Sequence, residues 1–158
     1  MYKIPVKSQN NLTDRINDEW QAVQFYQAGA IWATANNFDL MHKFAYAESA
    51  DEVEHATSIQ DFLADLGMIA ERKPQEMNFT FTDYIDFVNQ ALDMEVKLTE
   101  AYEADYIAAS DCPVVQEFLL KYIKIQRKAV IEYMDKQRKL KDISGEFELR
   151  MIESQIFS

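Results

Sequence analysis

The sequence predicts an all-α protein: a four-helix bundle with one long crossover between the second and third helices and a short fifth helix at the C-terminus. Three observations carry this. Glycine and proline number 3 each among 158 residues, too few turn formers for a β-sandwich or an α/β fold. Four long stretches carry apolar residues at three- and four-residue steps. One link, from Gly67 to Phe81, is long, contains Pro74 and shows no period. The length predicts a single domain over 1–158, large enough to bury a core without disulfides.

The first helix is expected from Gln9 to Phe38, with Leu12, Ile16, Val23, Ala30 and Ala33 along one stripe and Trp20 beside it. Asn36 and Asn37 read as a turn, because asparagine tolerates the left-handed conformation. The second helix is expected from Asp39, taken as its cap, to Leu66, with Gly67 as the stop. Leu40, Phe44, Ala47, Ile59, Phe62 and Leu66 are assigned to its inner face. The third opens at Thr82-Asp83 and runs to Ala109 through Ile85, Val88, Leu92, Val96 and Leu98. The fourth opens at Ser110-Asp111, with Pro113 in its first turn, where proline is tolerated. It continues through Phe118, Tyr122, Ile125 and Ile131 to Leu140. A fifth segment, Phe147 to Ile156, follows Gly145.

Link length decides the topology. Short links make the first and second helices one antiparallel hairpin and the third and fourth another. Extended at about 3.3 Å per residue, the Gly67–Phe81 link reaches roughly 45–50 Å. A helix of about 28 residues is roughly 42 Å long. The link can therefore return to the end where the second helix began, which gives a bundle with one crossover.

Composition excludes several functions. Lys+Arg is 16 against Asp+Glu 27, a formal net charge of −11. Such a surface repels nucleic acid and anionic lipid and attracts cations. One cysteine allows neither a disulfide framework nor a cysteine zinc site. The uncharged stretch Trp20–Phe38 holds three glutamines and two asparagines, too polar for hydrocarbon. With no apolar signal segment at the N-terminus, the expectation is a cytoplasmic protein without nucleic-acid or membrane partners.

Buried carboxylates are costly unless a cation or metal compensates them. The acids at mid-helix among apolar neighbours are Glu19, Glu52 and Glu95, and Gln126 holds the corresponding depth on the fourth helix. The sharpest local signal is Glu52-x-x-His55, whose spacing puts both side chains on one helix face. Acids are 27 of 158 residues, so about one histidine in six has an acid three residues earlier by chance, and the pair needs company to count. Asp39-x-x-His42 shows the same spacing. It lies about 20 Å along the helix from His55 and about 140° around it, so the two histidines cannot share a site. His42 reads as a surface residue. Three glutamates, one histidine and one glutamine make an oxygen-rich donor set that suits iron or manganese better than zinc. Tyr26, two turns after Glu19 on the same face, can hydrogen-bond a ligand carboxylate or give up an electron; the alternative is a core tyrosine with a satisfied hydroxyl.

These elements, taken in order, resemble the non-haem ferritins over nearly the whole chain. The resemblance rests on Glu19 followed by Tyr26 and Trp32, on Asp51-Glu52-Val53-Glu54-His55, on Glu95, and on Phe118-Leu119-x-x-Tyr122 leading to Gln126. It extends to the terminal segment from Gly145-Glu146-Phe147. It implies the ferritin-like fold and a ferroxidase centre holding two irons per subunit. Glu19, Glu52 and His55 would hold the first iron, Glu52 would bridge, and Glu95 with nearby Gln126 would serve the second. Asp51 and Glu54 would flank the bridging face and pass or nucleate ferric iron. The partners implied are Fe2+, dioxygen or hydrogen peroxide, and further copies of the chain in a 24-subunit cage.

Departures from related patterns narrow this. Bacterioferritins carry a second Glu-x-x-His on the fourth helix and a haem-ligating methionine after the bridging glutamate. This chain has Gln126-Arg127-Lys128-Ala129 and Val53 there, so no haem is expected. Ile125, Lys128 and Ala129 stand where many bacterial ferritins place the acids of a third iron site. The region expected near a threefold pore, Val115, Gln116 and Leu119, is poor in acids. The rival expectations are a solitary rubrerythrin-like di-metal oxidase or peroxidase and a non-catalytic four-helix interaction protein.

Overall fold

The computed structural model describes residues 2–158, and among them all regular structure is helical. The order is α1 Val6–Ala35, α2 Asp39–Asp65, α3 Tyr84–Ala108, α4 Pro113–Leu140 and α5 Glu146–Phe157. Helix α1 starts and ends three residues earlier than its sequence period suggested, opening directly after Pro5. Asn37 takes φ 61° in the turn to α2. Gly67, at φ 78°, ends the next helix in a conformation that side chains with a Cβ avoid. Asp83 caps α3 by accepting from the Asp86 amide at 2.8 Å, and Pro113 opens α4.

Two expectations are corrected. Asp39 is not a cap: Phe38 holds the cap position of α2 without a side-chain cap bond, and the Met41 amide of the first turn donates to Glu153 of α5 at 3.4 Å instead. Ala47 and Ile131 are exposed. The buried stripe of α2 runs Met41, Ala45, Ser49, Glu52, Ala56, Ile59 and Leu63, which leaves Ala47 on the opposite side. The α4 stripe runs Val115, Leu119, Tyr122, Gln126 and Tyr133, which turns Ile131 outward. Val115 and Leu119 are 1 % exposed and pack inside the bundle, so neither can line a pore.

Side-chain pairings fix the topology. Trp20 with Gln60 and Ser49 with Val23 run in opposite order along α1 and α2, an antiparallel hairpin. Tyr26 with Glu95 and Tyr102 with Glu19 run in opposite order along α1 and α3, again antiparallel. Helices α2 and α3 are therefore parallel, which only a full-length crossover allows. That crossover is extended and is fastened by side chains. Asn17 donates to Glu71 O at 2.9 Å and accepts from the Lys73 amide at 2.7 Å. Gln21 exchanges two bonds with the Glu76 backbone, and Gln90 donates to Thr80 O.

The core has two halves. One packs Phe25, Tyr26, Tyr84, Phe87 and Tyr133 with Ile156 and Phe157 of α5. The other packs Leu12, Ile16, Ile59, Leu63, Tyr102 and Tyr122. Buried Lys136 of α4 secures α5: its Nζ donates to Ile156 O at 2.6 Å, pairs with Glu132 at 3.2 Å and lies 4.5 Å above the Phe44 ring.

Candidate metal centre

Between the two halves of the core, the four long helices bring polar groups into an interior of apolar and aromatic side chains. Glu19 is 0 % exposed, Glu52 4 %, Glu95 1 % and Gln126 1 %. One carboxylate oxygen of Glu19, one of Glu52 and a ring nitrogen of His55 lie within 4.8 Å of one another. Among the described residues this is the one such group of three. Its local origin is simple. Glu52 and His55 are a turn apart on α2, and His55 Nδ1 meets Glu52 Oε2 at 2.9 Å. The α1 stripe delivers Glu19 from the facing helix, with Oε2 at 3.7 Å from the same nitrogen.

Helix α3 closes the site from the other side. Glu95 uses both oxygens: Oε1 accepts from the Tyr26 hydroxyl at 2.6 Å and Oε2 from Gln126 Nε2 at 2.7 Å. Tyr26, Glu95 and Gln126 thus form one hydrogen-bonded chain across α1, α3 and α4. Gln126 stands behind Glu95 and holds it.

The electrostatics of the group follow from burial and from the charges it brings together. Burial works against ionisation of Glu19, but Glu52, His55 and Tyr102 around it more than offset this and hold its carboxyl below the ordinary range. Burial and the Glu19 charge push Glu52 far above that range. Two carboxylates this close and this buried resist ionising together, so the pair titrates as one unit. Burial also raises Glu95, only partly offset by the bonds from Tyr26 and Gln126. Burial disfavours a charged His55, yet the neighbouring Glu19 carboxylate raises it overall. Glu19 Oε2 is buried with no hydrogen-bond partner. A buried, unpartnered carboxylate oxygen facing a second glutamate and an imidazole is what a cation would complete.

Asp51 and Glu54 are exposed on α2, outside this interior. His42 stays apart, its Nδ1 3.0 Å from Ala30 O. Several residues escaped the sequence reading. Tyr102 donates to Glu19 Oε1 at 2.5 Å and stacks on Tyr122 with ring centroids 5.3 Å apart. Tyr133 stacks on Tyr26 at 6.4 Å and donates to Glu48 at 3.4 Å. Glu48 is raised to about 7 by burial and by the charges of Glu132, Glu95 and Asp51. Two spacings carried the signal: Tyr102 lies two turns past Glu95 as Tyr26 lies two turns past Glu19, and Glu48 sits one turn before Glu52.

Comparison with known proteins follows the same outline. The family model described as Ferritin-like domain matches residues 9–143. The fold is similar to the open pore ferritin from the hyperthermophilic archaeon Archaeoglobus fulgidus, with a TM-score of 0.87 at 17% identity over 97% of this chain and 96% of that one. It is also similar to the apo-ferritin from Pseudo-nitzschia multiseries, with a TM-score of 0.89 at 22% identity over 97% and 100%. No curated protein sequence matches the chain. Among the described residues no helix is long and apolar enough to cross a membrane.

Proposed function

The chain belongs to the ferritin family, and from that premise we propose that it oxidises Fe2+ at a di-iron centre inside each subunit and stores the ferric product within a protein cage. The observation that carries this reading is the buried Glu19–Glu52–His55 group with its unpartnered Glu19 oxygen.

In this reading Glu19, Glu52 and His55 bind the first Fe2+. The incoming cation favours the ionised form of the Glu19–Glu52 pair, and the second oxygen of Glu52 is then free to bridge. Glu95 binds the second Fe2+, oriented by Tyr26 and Gln126. Three carboxylates offset most of the charge of two cations, and the apolar surroundings strengthen each contact. Dioxygen or hydrogen peroxide takes the electrons. Exposed Asp51 and Glu54 receive Fe3+ on its way to the mineral. The cage holds 24 copies, binds no haem, since Val53 follows Glu52 where a haem-ligating methionine would stand, and works in the cytoplasm.

The test is iron uptake with native mass. Purified protein is expected to oxidise two Fe2+ per subunit rapidly, in a particle of 24 subunits. Oxidation in a small particle supports a solitary di-iron oxidase instead, and no oxidation supports the non-catalytic bundle.

A further inference from the structure

The centre has two tyrosine arms, not one. On one side the Tyr26 hydroxyl donates to Glu95, and Tyr26 stacks on Tyr133. On the other, the Tyr102 hydroxyl donates to Glu19, and Tyr102 stacks on Tyr122 with the rings 9° from parallel. Tyr26 and Tyr102 are both 0 % exposed. The arms mirror one another across the antiparallel pair α1 and α3: the tyrosine two turns after each glutamate bonds the glutamate of the facing helix.

Against the opposing effect of burial, the neutral Tyr102 hydroxyl helps to hold the Glu19 carboxyl below its ordinary range, behind the larger effects of Glu52 and His55. Tyr102 occupies Glu19 Oε1, while Oε2 of the same carboxyl is unpartnered and faces Glu52 and His55. One carboxyl group therefore separates the phenol from a cation bound at Oε2. A phenol loses an electron easily only when its proton has somewhere to go, and here the acceptor is already in place.

We propose that Tyr102 is a second electron donor to dioxygen, acting with Tyr26 so that one filling of the centre reduces dioxygen fully to water. The proposal rests on the ferroxidase reading above. The balance is closed. Two Fe2+ and two phenols supply four electrons, and two phenolic protons plus two from solvent complete two waters. The products are two Fe3+ and two neutral tyrosyl radicals, which two further Fe2+ and two protons restore to phenols. The arms differ in where the radical rests. Tyr133 has Glu48 as a proton acceptor, so oxidation can move outward from Tyr26. No carboxylate accepts from the Tyr122 hydroxyl, so the radical stays on Tyr102.

The experiment loads protein anaerobically with two Fe2+ per subunit, mixes it with dioxygen, and freeze-quenches samples for electron paramagnetic resonance. Tyr102→Phe is expected to halve the tyrosyl radical yield of the unsubstituted protein. The Tyr26→Phe/Tyr133→Phe protein, which leaves Tyr102 untouched, is expected to keep a tyrosyl signal. The Tyr26→Phe/Tyr102→Phe protein is expected to release hydrogen peroxide where the unsubstituted protein releases none. An unchanged yield in Tyr102→Phe, or no signal in Tyr26→Phe/Tyr133→Phe, overturns the second donor and leaves the ferroxidase reading standing. Failure of the unsubstituted protein to oxidise Fe2+ overturns both. If Tyr102→Phe does not fold, the Tyr26→Phe/Tyr133→Phe protein decides alone.

Discussion

Tyr26 of α1 donates its hydroxyl to Glu95 of α3 over 2.6 Å, from a position two turns beyond Glu19 on its own helix. One side chain thereby ties the position of the second carboxylate to the helix that carries the first. Tyr26→Phe leaves Glu95 Oε1 buried without that partner and is expected to cost about 1–3 kcal/mol, the range for leaving a buried acceptor unsatisfied. Iron binding is expected to persist, with slower turnover after the first two irons. Melting curves beside stopped-flow traces at successive Fe2+ additions check both parts.

Glu52→Gln separates metal binding from packing. In the metal-free protein burial, and then the Glu19 charge beside it, push the Glu52 carboxyl far above its ordinary range and favour its neutral form. An amide of the same shape keeps that neutral state, so the melting temperature is expected to hold or rise slightly. Fast Fe2+ oxidation is expected to disappear, because an amide cannot bridge two cations as a carboxylate does. His55→Ala is expected to lose oxidation likewise while helical content persists. Wild-type oxidation rates in either variant would remove these residues from the centre.

The metal-free protein is expected to weaken as pH rises from 4.5 toward 7. Glu48 has an ordinary value of 4.5 and a folded value of about 7, so the folded state binds its proton more tightly than the unfolded one. The stability this confers is complete below the unfolded value and is lost as pH climbs through the folded one. Glu48 is only partly buried, so solvent screening leaves about 1–2 kcal/mol. Denaturant titrations at several pH values should show the slope, and Glu48→Gln should make it shallower.

Much of this centre was legible in the sequence, for identifiable reasons. Glu52 and His55 share a helix, so their spacing alone shows that they share a face. Glu19 and Glu95 are acids in apolar stripes, which is unusual enough to notice. Tyr102 was hidden because tyrosine belongs in a core and this chain has 8; only its partner across the bundle marks it. Asp39 misled because a capping residue type at a helix start is common, whereas the capping bond depends on backbone geometry that Phe38 supplies here. Lys136 carried no sequence signal, since its role depends on where α5 ends.

Lys136→Met tests that role. The substitution keeps the long apolar stem over Phe44 but leaves Ile156 O without its donor. A loss of about 1–3 kcal/mol is expected, concentrated at the C-terminus. Limited proteolysis should release α5 earlier than from the unsubstituted protein, and equal release would show that Ile156 and Phe157 hold the helix by burial alone.

Gly29→Ala should be worse than its size suggests. A Cβ there would lie 2.4 Å from Phe87 Cε2 and 2.9 Å from Cδ2, and Phe87 is locked in a stack with Phe25 at 5.4 Å. The ring has nowhere to retreat, so a cost of about 1–3 kcal/mol is expected. An unchanged melting temperature would show that the α1–α3 contact is looser than it looks.

On the ferroxidase reading, the division of the site's residues between the two hairpins would give the cargo a mechanical part. Glu19, Glu52 and His55 belong to the first hairpin, Glu95 and Gln126 to the second, and the strap between them is fastened by Asn17, Gln21 and Gln90 rather than by regular structure. Cations held by Glu19, Glu52 and His55 on one side and Glu95 on the other would be a rivet between two leaves. Cutting the strap would remove chain continuity but neither its fasteners nor the rivet. The loaded subunit would then resist separation more than the empty one.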